Sequence, residues 1–335
     1  EQVGSGAEML DAYLSARFEV ANIPVHLRLG DQVVNWGESR FFIGNGVDVS
    51  NPINIPLFQQ PTSTLRDLPV PVGMLWGSAH ITPLLIMEAY YQYEWKEAVL
   101  PATGTFLAFN DGFFPGGDFI QSTGTFSQFG TDVSQVTGIP AETLEAVGIA
   151  PFNPRFYQTS RTRGDRARDS GQFGLSVGTI LPQYNDTKVS LYFANYHANL
   201  PGYGVKTPGL ESYQQFSVQG IEGLTQALVT AGADPELAPE AARLTQSDRF
   251  IEGIKYYEQY REDIRMLGLS FNTTATTTGL SYYGEISHTR GAPINVHSGD
   301  LLNQILPGAN RDNPFPPVDL SEVTPDELAA DYADK

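Results

Sequence analysis

The strongest constraint on this chain is a hydropathy period of two that recurs in paired segments, each roughly ten residues long. In one of them Leu85, Met87, Ala89, Tyr91, Tyr93 and Trp95 fall on one side, and Glu88, Gln92 and Glu94 on the other. In another, Phe173, Leu175, Val177 and Leu181 oppose Gly174, Ser176 and Gly178. In a third, Leu14, Ala16, Phe18 and Val20 oppose Tyr13, Ser15, Arg17 and Glu19. Successive side chains alternate across a strand but spiral around a helix, so this pattern selects β-strands.

The segments pair as residues 11–20 with 25–36, 72–81 with 84–95, 171–181 with 188–197, and 260–271 with 278–290. Short Pro-, Asn- and Asp-containing stretches join the members of each pair, as hairpin turns require. Long segments at 37–71, 96–170, 198–259 and 291–335 follow them. Strands of 9 to 11 residues are what a tilted transmembrane strand needs. Short turns alternating with long loops are the asymmetry of outer-membrane barrels. The pattern predicts an all-β protein, an antiparallel up-and-down transmembrane β-barrel or a section of one. Its turns would be periplasmic and its long, partly helical loops extracellular. The expected layout is a single barrel domain over 1–335, incomplete at both ends, with loop insertions at 96–170 and 198–259. Short helices are expected at 140–149, 221–231 and 235–244, and Thr324-Pro325-Asp326-Glu327 reads as a further helix start. A soluble, secreted all-β binding or assembly protein accounts for the same alternation, with the apolar faces as its core.

Charge and composition narrow the function. A net charge of -18 opposes binding to nucleic acid, whose phosphates call for a basic face. The absence of Cys excludes a thiolate metal site and a Cys nucleophile. No apolar run reaches the roughly 18 residues of a membrane helix, and a mean hydropathy of -0.21 is what alternating strands average to. His26, His80, His197, His288 and His297 form no close ligand spacing, and no P-loop, dinucleotide fingerprint or nucleophile elbow is present. Glu88 and Glu94 lie roughly 20 Å apart along a strand, too far for the acid–base pair of a glycosidase. No catalytic residue, metal site or cofactor is therefore predicted. The Asp111–Asp118 and Asn45–Asp48 clusters read as turns, with calcium as the alternative.

The chain resembles a known family at Gln32-Val-Val-Asn-Trp-Gly-Glu-Ser39 and Asn45-Gly-Val-Asp-Val-Ser-Asn-Pro52. The resemblance continues through Leu68–Leu75, Met87–Trp95, Arg168–Gly174 and Tyr192–His197. The family is the Gram-negative outer-membrane group known as domain of unknown function 1302. It implies a longer barrel, of which this chain is an internal section, and a role in uptake or export of hydrophobic compounds. It has no agreed site residues to transfer.

The candidate functional residues follow from the alternation and from the loops. Arg17, Glu19, Glu88, Gln92 and Glu94 are expected to line a polar lumen. Trp36 and Trp95 are expected at the membrane interface, where amphipathic rings sit at headgroup level. Seven Phe fall within 24 residues, at Phe106, Phe109, Phe113, Phe114, Phe119, Phe126 and Phe129. So apolar a loop either packs as a cap or forms the entrance for a hydrophobic small-molecule solute. The basic run Arg155, Arg161, Arg163, Arg166 and Arg168 reads as a solvated loop paired with acidic neighbours, or as a grip on lipopolysaccharide phosphates. The expected surroundings are outer-membrane lipid and lipopolysaccharide.

Overall fold

The computed structural model describes residues 10–38, 46–58, 60, 63–65, 67–105, 108, 112, 114–122, 134, 137–146, 148–149, 157–215, 217–293 and 324–333. The strands, in chain order, are β1 Ala12–Val20, β2 Ile23–Gln32, β3 Val72–Thr82, β4 Leu85–Gln92, β5 Phe119–Ser122 and β6 Tyr157–Arg161. They continue as β7 Gln172–Leu181, β8 Thr187–Tyr196, β9 Gly202–Lys206, β10 Lys255–Gln259, β11 Ile264–Thr274 and β12 Ser281–Arg290. The chain divides into two compact units. One comprises Glu1–Phe109, Asp165–Gly202 and Gln259–Ile294; the other comprises Asn110–Gly164, Tyr203–Glu258 and Asn295–Lys335.

The first unit carries an eight-stranded sheet in the order β1-β2-β3-β4-β7-β8-β11-β12. Every pairing in it is antiparallel. The four expected hairpins are all present, and neighbours in the sheet are neighbours along the chain once the long connections are set aside. Among the described residues β1 and β12 each pair on one side only, so the sheet is open. The β1–β2 turn is two residues, Ala21 and Asn22, both at positive φ (50° and 63°). That is the mirror-type turn whose twist suits a hairpin. Pro24 already lies in β2, opposite Glu19, where it meets no β3 partner and its missing N–H costs no ladder bond. At the β3–β4 turn the Thr82 hydroxyl accepts the N–H groups of Leu84 and Leu85 at 3.3 and 3.0 Å.

β2 and β4 stop at Gln32 and Gln92, short of the expected 36 and 95. Past β4 one more bond reaches the neighbouring strand, Tyr93 N–H to the Gly73 carbonyl of β3, and past β2 the Asn51 side chain takes the Gln32 carbonyl and the Val34 N–H.

The second unit contains a four-stranded sheet, β5-β6-β10-β9, in which β6 and β10 are parallel. Helices Val218–Thr230 and Ala238–Gly253 pack through Ile221, Leu228, Ala238, Ala241 and Ala242, joined by Leu144 and Ile149 of the 141–149 region. The first is capped by the Ser217 hydroxyl, which accepts Gly220 N–H at 3.3 Å. The last helix, Pro325–Ala333, opens as a reciprocal cap. Thr324 N–H donates to the Glu327 carboxylate at 2.8 Å, and Glu327 N–H to the Thr324 hydroxyl at 3.4 Å. The short sheet is the element that sequence reading missed.

Candidate functional site

The two faces of the eight-stranded sheet are chemically opposite, and the register assigns each residue to one of them. On one face lie Leu14, Phe18, Leu29, Leu75, Tyr91, Phe173, Leu175, Leu191, Phe193, Leu267, Leu269, Phe271 and Ile286, all exposed. The other face mixes polar and small residues, among them Gln32, Ser78, Glu88, Gln92, Gly174, Ser176, Ser190, Ala194, Gly268 and Ser270, with the large Met74, Trp76, Tyr90, Tyr192 and Met266. Residues 33–38 and 46–54, part of the connection between β2 and β3, fold over this second face. The buried core of the unit lies beneath them: Val34, Trp36, Val47 and Val49 of the connection meet Met74, Trp76, Tyr90, Tyr192, Ala194 and Met266 of the strands.

Missing side chains make room for the covering segment. A Cβ on Gly174 would lie 2.7 Å from the Trp36 ring, and one on Gly268 would lie 2.2 Å from Val47. The Trp36 ring packs on Tyr90 and Tyr192 at 5.0 and 5.7 Å, and its Nε1–H donates to Glu88 at 2.9 Å. An indole N–H taken out of water needs such an acceptor. Asn51 is the hub of the segment. Its Oδ1 accepts Val34 N–H at 3.0 Å, and its Nδ2 donates to the carbonyls of Gln32 and Val70 at 3.0 and 2.9 Å. Gln92 donates to the Ser50 carbonyl, and Gln32 to that of Met74 at 2.9 Å.

The far edge of the segment is held by acids. The Glu285 carboxylate on β12 accepts Glu38 N–H at 3.0 Å, and it lies so close to Gly37 and Gly46 that a Cβ on either would meet it at 2.4 or 2.3 Å. Both glycines have positive φ, 85° and 77°, which suits no other residue as well. Glu38 accepts from Asn272 at 2.7 Å and has Lys188 at 3.7 Å. Burial pushes the nearby Asp48 carboxyl up to about 7, and the Glu285 charge adds to the rise; the Trp36 backbone N–H opposes it.

Residues 1–326 match the model of the family described as protein of unknown function (DUF1302). The chain belongs to this family. No curated protein and no solved structure matches the chain.

In this DUF1302 chain the five residues expected to line a lumen have different places. Glu88 and Gln92 stand on the covered face and hold the connection down. Arg17 and Glu19 fall on the same side of the edge strand β1 and line an open cavity of about 500 Å³ with His26, Ser78 and His80. Glu94 lies past the end of β4, where it accepts Gly73 N–H at 2.9 Å and pairs with Lys96 at 3.2 Å.

The expected interface aromatics are a correction. Trp36 is buried on the covered face, and Trp95 is buried against Tyr260 at 4.7 Å, beneath Arg166. Both follow the last strand residue; Trp36 keeps the parity of Gln32 and so the covered face, whereas Trp95 departs from the outward parity of Leu85 to Tyr91. Near the long-connection ends the bare face carries the exposed aromatics Tyr91, Phe173 and Phe193, adjacent across β4, β7 and β8. Strict parity from Leu85 and from Leu175 finds the first two. Trp76 faces the covered side, where Arg28 stacks over it at 4.0 Å.

Phe106, Phe109, Phe113, Phe126 and Phe129 lie outside the described residues, as do Arg155, Asn45, Asp111 and His297. Phe114 is buried, whereas Phe119 is exposed on β5. The basic run is engaged by carboxylates further along the chain than Asp165 and Asp169. Arg161 pairs with Glu258; Arg168 pairs with Glu262, and with Asp263 at 2.7 Å. The Arg168 and Asn195 hydrogen bonds hold the Asp263 carboxyl below its ordinary range. His197, fully buried beside this network, accepts Asp263 N–H on Nδ1 at 3.1 Å, so its proton sits on Nε2 and goes to the Ser170 carbonyl at 2.9 Å.

Proposed function

We propose that this DUF1302 chain forms the wall of an outer-membrane β-barrel channel that passes hydrophobic small molecules passively, without chemistry of its own. The observation that carries this reading is the apolar belt on the bare face, which crosses all eight strands of the sheet. Soluble proteins rarely expose contiguous apolar patches above a few hundred Å². A lipid-facing barrel wall requires one, with the polar residues turned inward. Along β7 the belt runs from Phe173 to Leu181, about 26 Å of strand, or about 20 Å of depth at the usual tilt. Tyr91, Phe173 and Phe193 near one end, and Phe18 and Tyr282 near the other, stand where barrels carry aromatic girdles.

In this arrangement the short turns face the periplasm and the long connections the cell exterior, among lipid and lipopolysaccharide. The segment over the covered face narrows the route, and solute passes beside it along the polar residues of β1 to β4. Passage of this kind calls for no nucleophile and no cofactor.

The test is fractionation of the full-length protein, read by heat-modifiable gel mobility, followed by efflux of a hydrophobic dye and of a sugar from protein-loaded vesicles. Detergent-dependent extraction, a band that shifts on boiling and faster dye efflux are expected. Recovery in the soluble fraction with no mobility shift would overturn the membrane reading; the apolar belt would then be a surface for a protein partner.

A further inference from the structure

The cavity on the covered side of β1 to β3 concentrates positive charge in a chain of net charge -18. Cross-strand register places Arg17 opposite His26, and His26 opposite Ser78. One step along the strands, Ser15 is opposite Arg28, and Arg28 opposite Trp76. Two guanidiniums and one imidazole therefore stand in adjacent rows on one surface, and His80 lines the same cavity. The acids of the covered face lie elsewhere: Glu88 on β4, Glu285 on β12, and Glu38 and Asp48 on the covering segment. Glu19 is the acid within the cavity, exposed on the turn side of Arg17. Among the described residues neither Arg17 nor Arg28 forms a salt bridge, unlike Arg161 and Arg168.

The cationic groups are held in place. The Arg28 guanidinium lies 4.0 Å over the Trp76 ring and 5.3 Å from Tyr13. His26 meets Trp76 edge-on at 5.4 Å and exchanges a hydrogen bond with the Ser15 hydroxyl at 2.8 Å. Stacking restrains the plane of a guanidinium and leaves its edge donors for an anion. The Arg28 Nε is buried and has no hydrogen-bond partner. Pro24, on the same face as Arg17 and His26, completes the wall of the cavity of about 500 Å³, and Phe18 and Val25, whose side chains belong to the bare face, border it. Such a volume suits a small organic ligand.

The geometry points to a binding site for a carboxylate amphiphile, a monoanionic acid with an apolar tail. Arg17 takes the carboxylate with Arg28 in the adjacent row beside it, and the first carbons of the chain lie over Pro24. A guanidinium fork fits a carboxylate, and cations gathered on one surface raise the local concentration of anions. Glu19 at the rim disfavours a second negative charge. The inference deepens the proposed channel by naming the class of solute, and it rests on that reading for its place in transport, though not for binding itself.

The experiment places the full chain in uncharged lipid nanodiscs and follows quenching of tryptophan fluorescence by 10-bromodecanoate and by 10-bromodecanol. The alcohol measures partition into lipid without the charge. Wild type is expected to bind the acid at least tenfold more strongly than the alcohol. The double variant Arg17→Gln/Arg28→Gln should lose that preference and keep its response to the alcohol. Arg28→Lys should keep part of the preference, and Lys188→Gln all of it. Far-UV circular dichroism and the boiling shift report whether each variant is folded. Equal quenching by acid and alcohol in wild type, or an undiminished preference in the folded double variant, would overturn the site. An acid preference in a chain that fractionates as a soluble protein would keep the site and remove the channel; membrane integration without the preference would do the reverse.

Discussion

Asn51 is the residue whose loss tests most directly how the covering segment is held. Asn51→Ala removes the acceptor of Val34 N–H and the donor to the Gln32 and Val70 carbonyls, three bonds of 2.9 to 3.0 Å joining the end of β2 to the approach to β3. Asn51 is buried, and so is Val34. Each backbone group left dry costs about 1 to 1.5 kcal/mol, which gives about 3 to 4 kcal/mol in all. That is a factor of several hundred in the folding equilibrium. The assay is reversible urea unfolding in lipid vesicles, followed by tryptophan fluorescence, since Trp36 and Trp76 sit in the core that the segment closes. Asn51→Asp separates the terms: it keeps the acceptor for Val34 N–H and turns a carboxylate towards two carbonyls, so it should be no more stable than the alanine variant. An Asn51→Ala protein within 1 kcal/mol of wild type would refute the reasoning, because it would mean that water reaches these groups and that the segment is not packed as described.

Three further outcomes are expected. Leu191→Arg, at an outward and exposed position of β8, should destabilise the protein by about 2 to 4 kcal/mol in bilayers, whereas an exposed site in water would change by about 0.5 kcal/mol or less; vesicle unfolding decides between them. Gly46→Ala should cost about 1 to 3 kcal/mol by the same measurement, since its Cβ meets the Glu285 carboxylate at a positive φ of 77°. Because Asp48 has its carboxyl raised from 3.8 to about 7, ionising it opposes folding: its stabilising protonated form is complete below pH 3.8 and is lost as the pH rises through 7. Asp48→Asn should therefore exceed wild type by about 4 kcal/mol at pH 8, and the gap should close towards pH 4; melting temperature against pH is the readout, and a constant gap would dismiss the charge argument.

The antiparallel sheet is legible in the sequence because each strand announces itself locally. Leu85 to Gln92 and Phe173 to Leu181 alternate cleanly, and their turns carry Pro, Asn or Asp. The covered face is legible by the same parity, which is why Glu88 and Gln92 are placed correctly on its polar side. What the pattern does not carry is the end of a strand. Trp95 continues the outward alternation on paper, but β4 stops at Gln92, and an indole beyond the last ladder bond turns to whatever buries it; Trp36 keeps the parity of Gln32 and lies on the covered face. The small sheet is hidden for another reason. β5, β6, β9 and β10 have four or five residues each, too few for a period to register, and their partners are set by pairings across long stretches of chain. Asn51, Glu285 and the Arg28–Trp76 stack are likewise tertiary facts. Nothing in the neighbourhood of Asn51 says that its amide will meet Val70.

The hairpin order of the sheet also sets which changes in length the family can tolerate. A strand that gained one residue in its middle would turn every later side chain to the opposite face, sending leucines inward and glutamates outward. The irregularity between His80 and Thr82 falls at the turn end of β3, where few residues remain to be inverted. Removal or duplication of a whole hairpin, by contrast, leaves the parity of every other strand intact, and a connection can grow or shrink outside packed stretches such as 33–38 and 46–54. Insertion scanning of this chain should therefore read as a barcode: intolerant blocks at the strands and at the packed residues 33–38 and 46–54, and silent blocks at connection residues outside such packing.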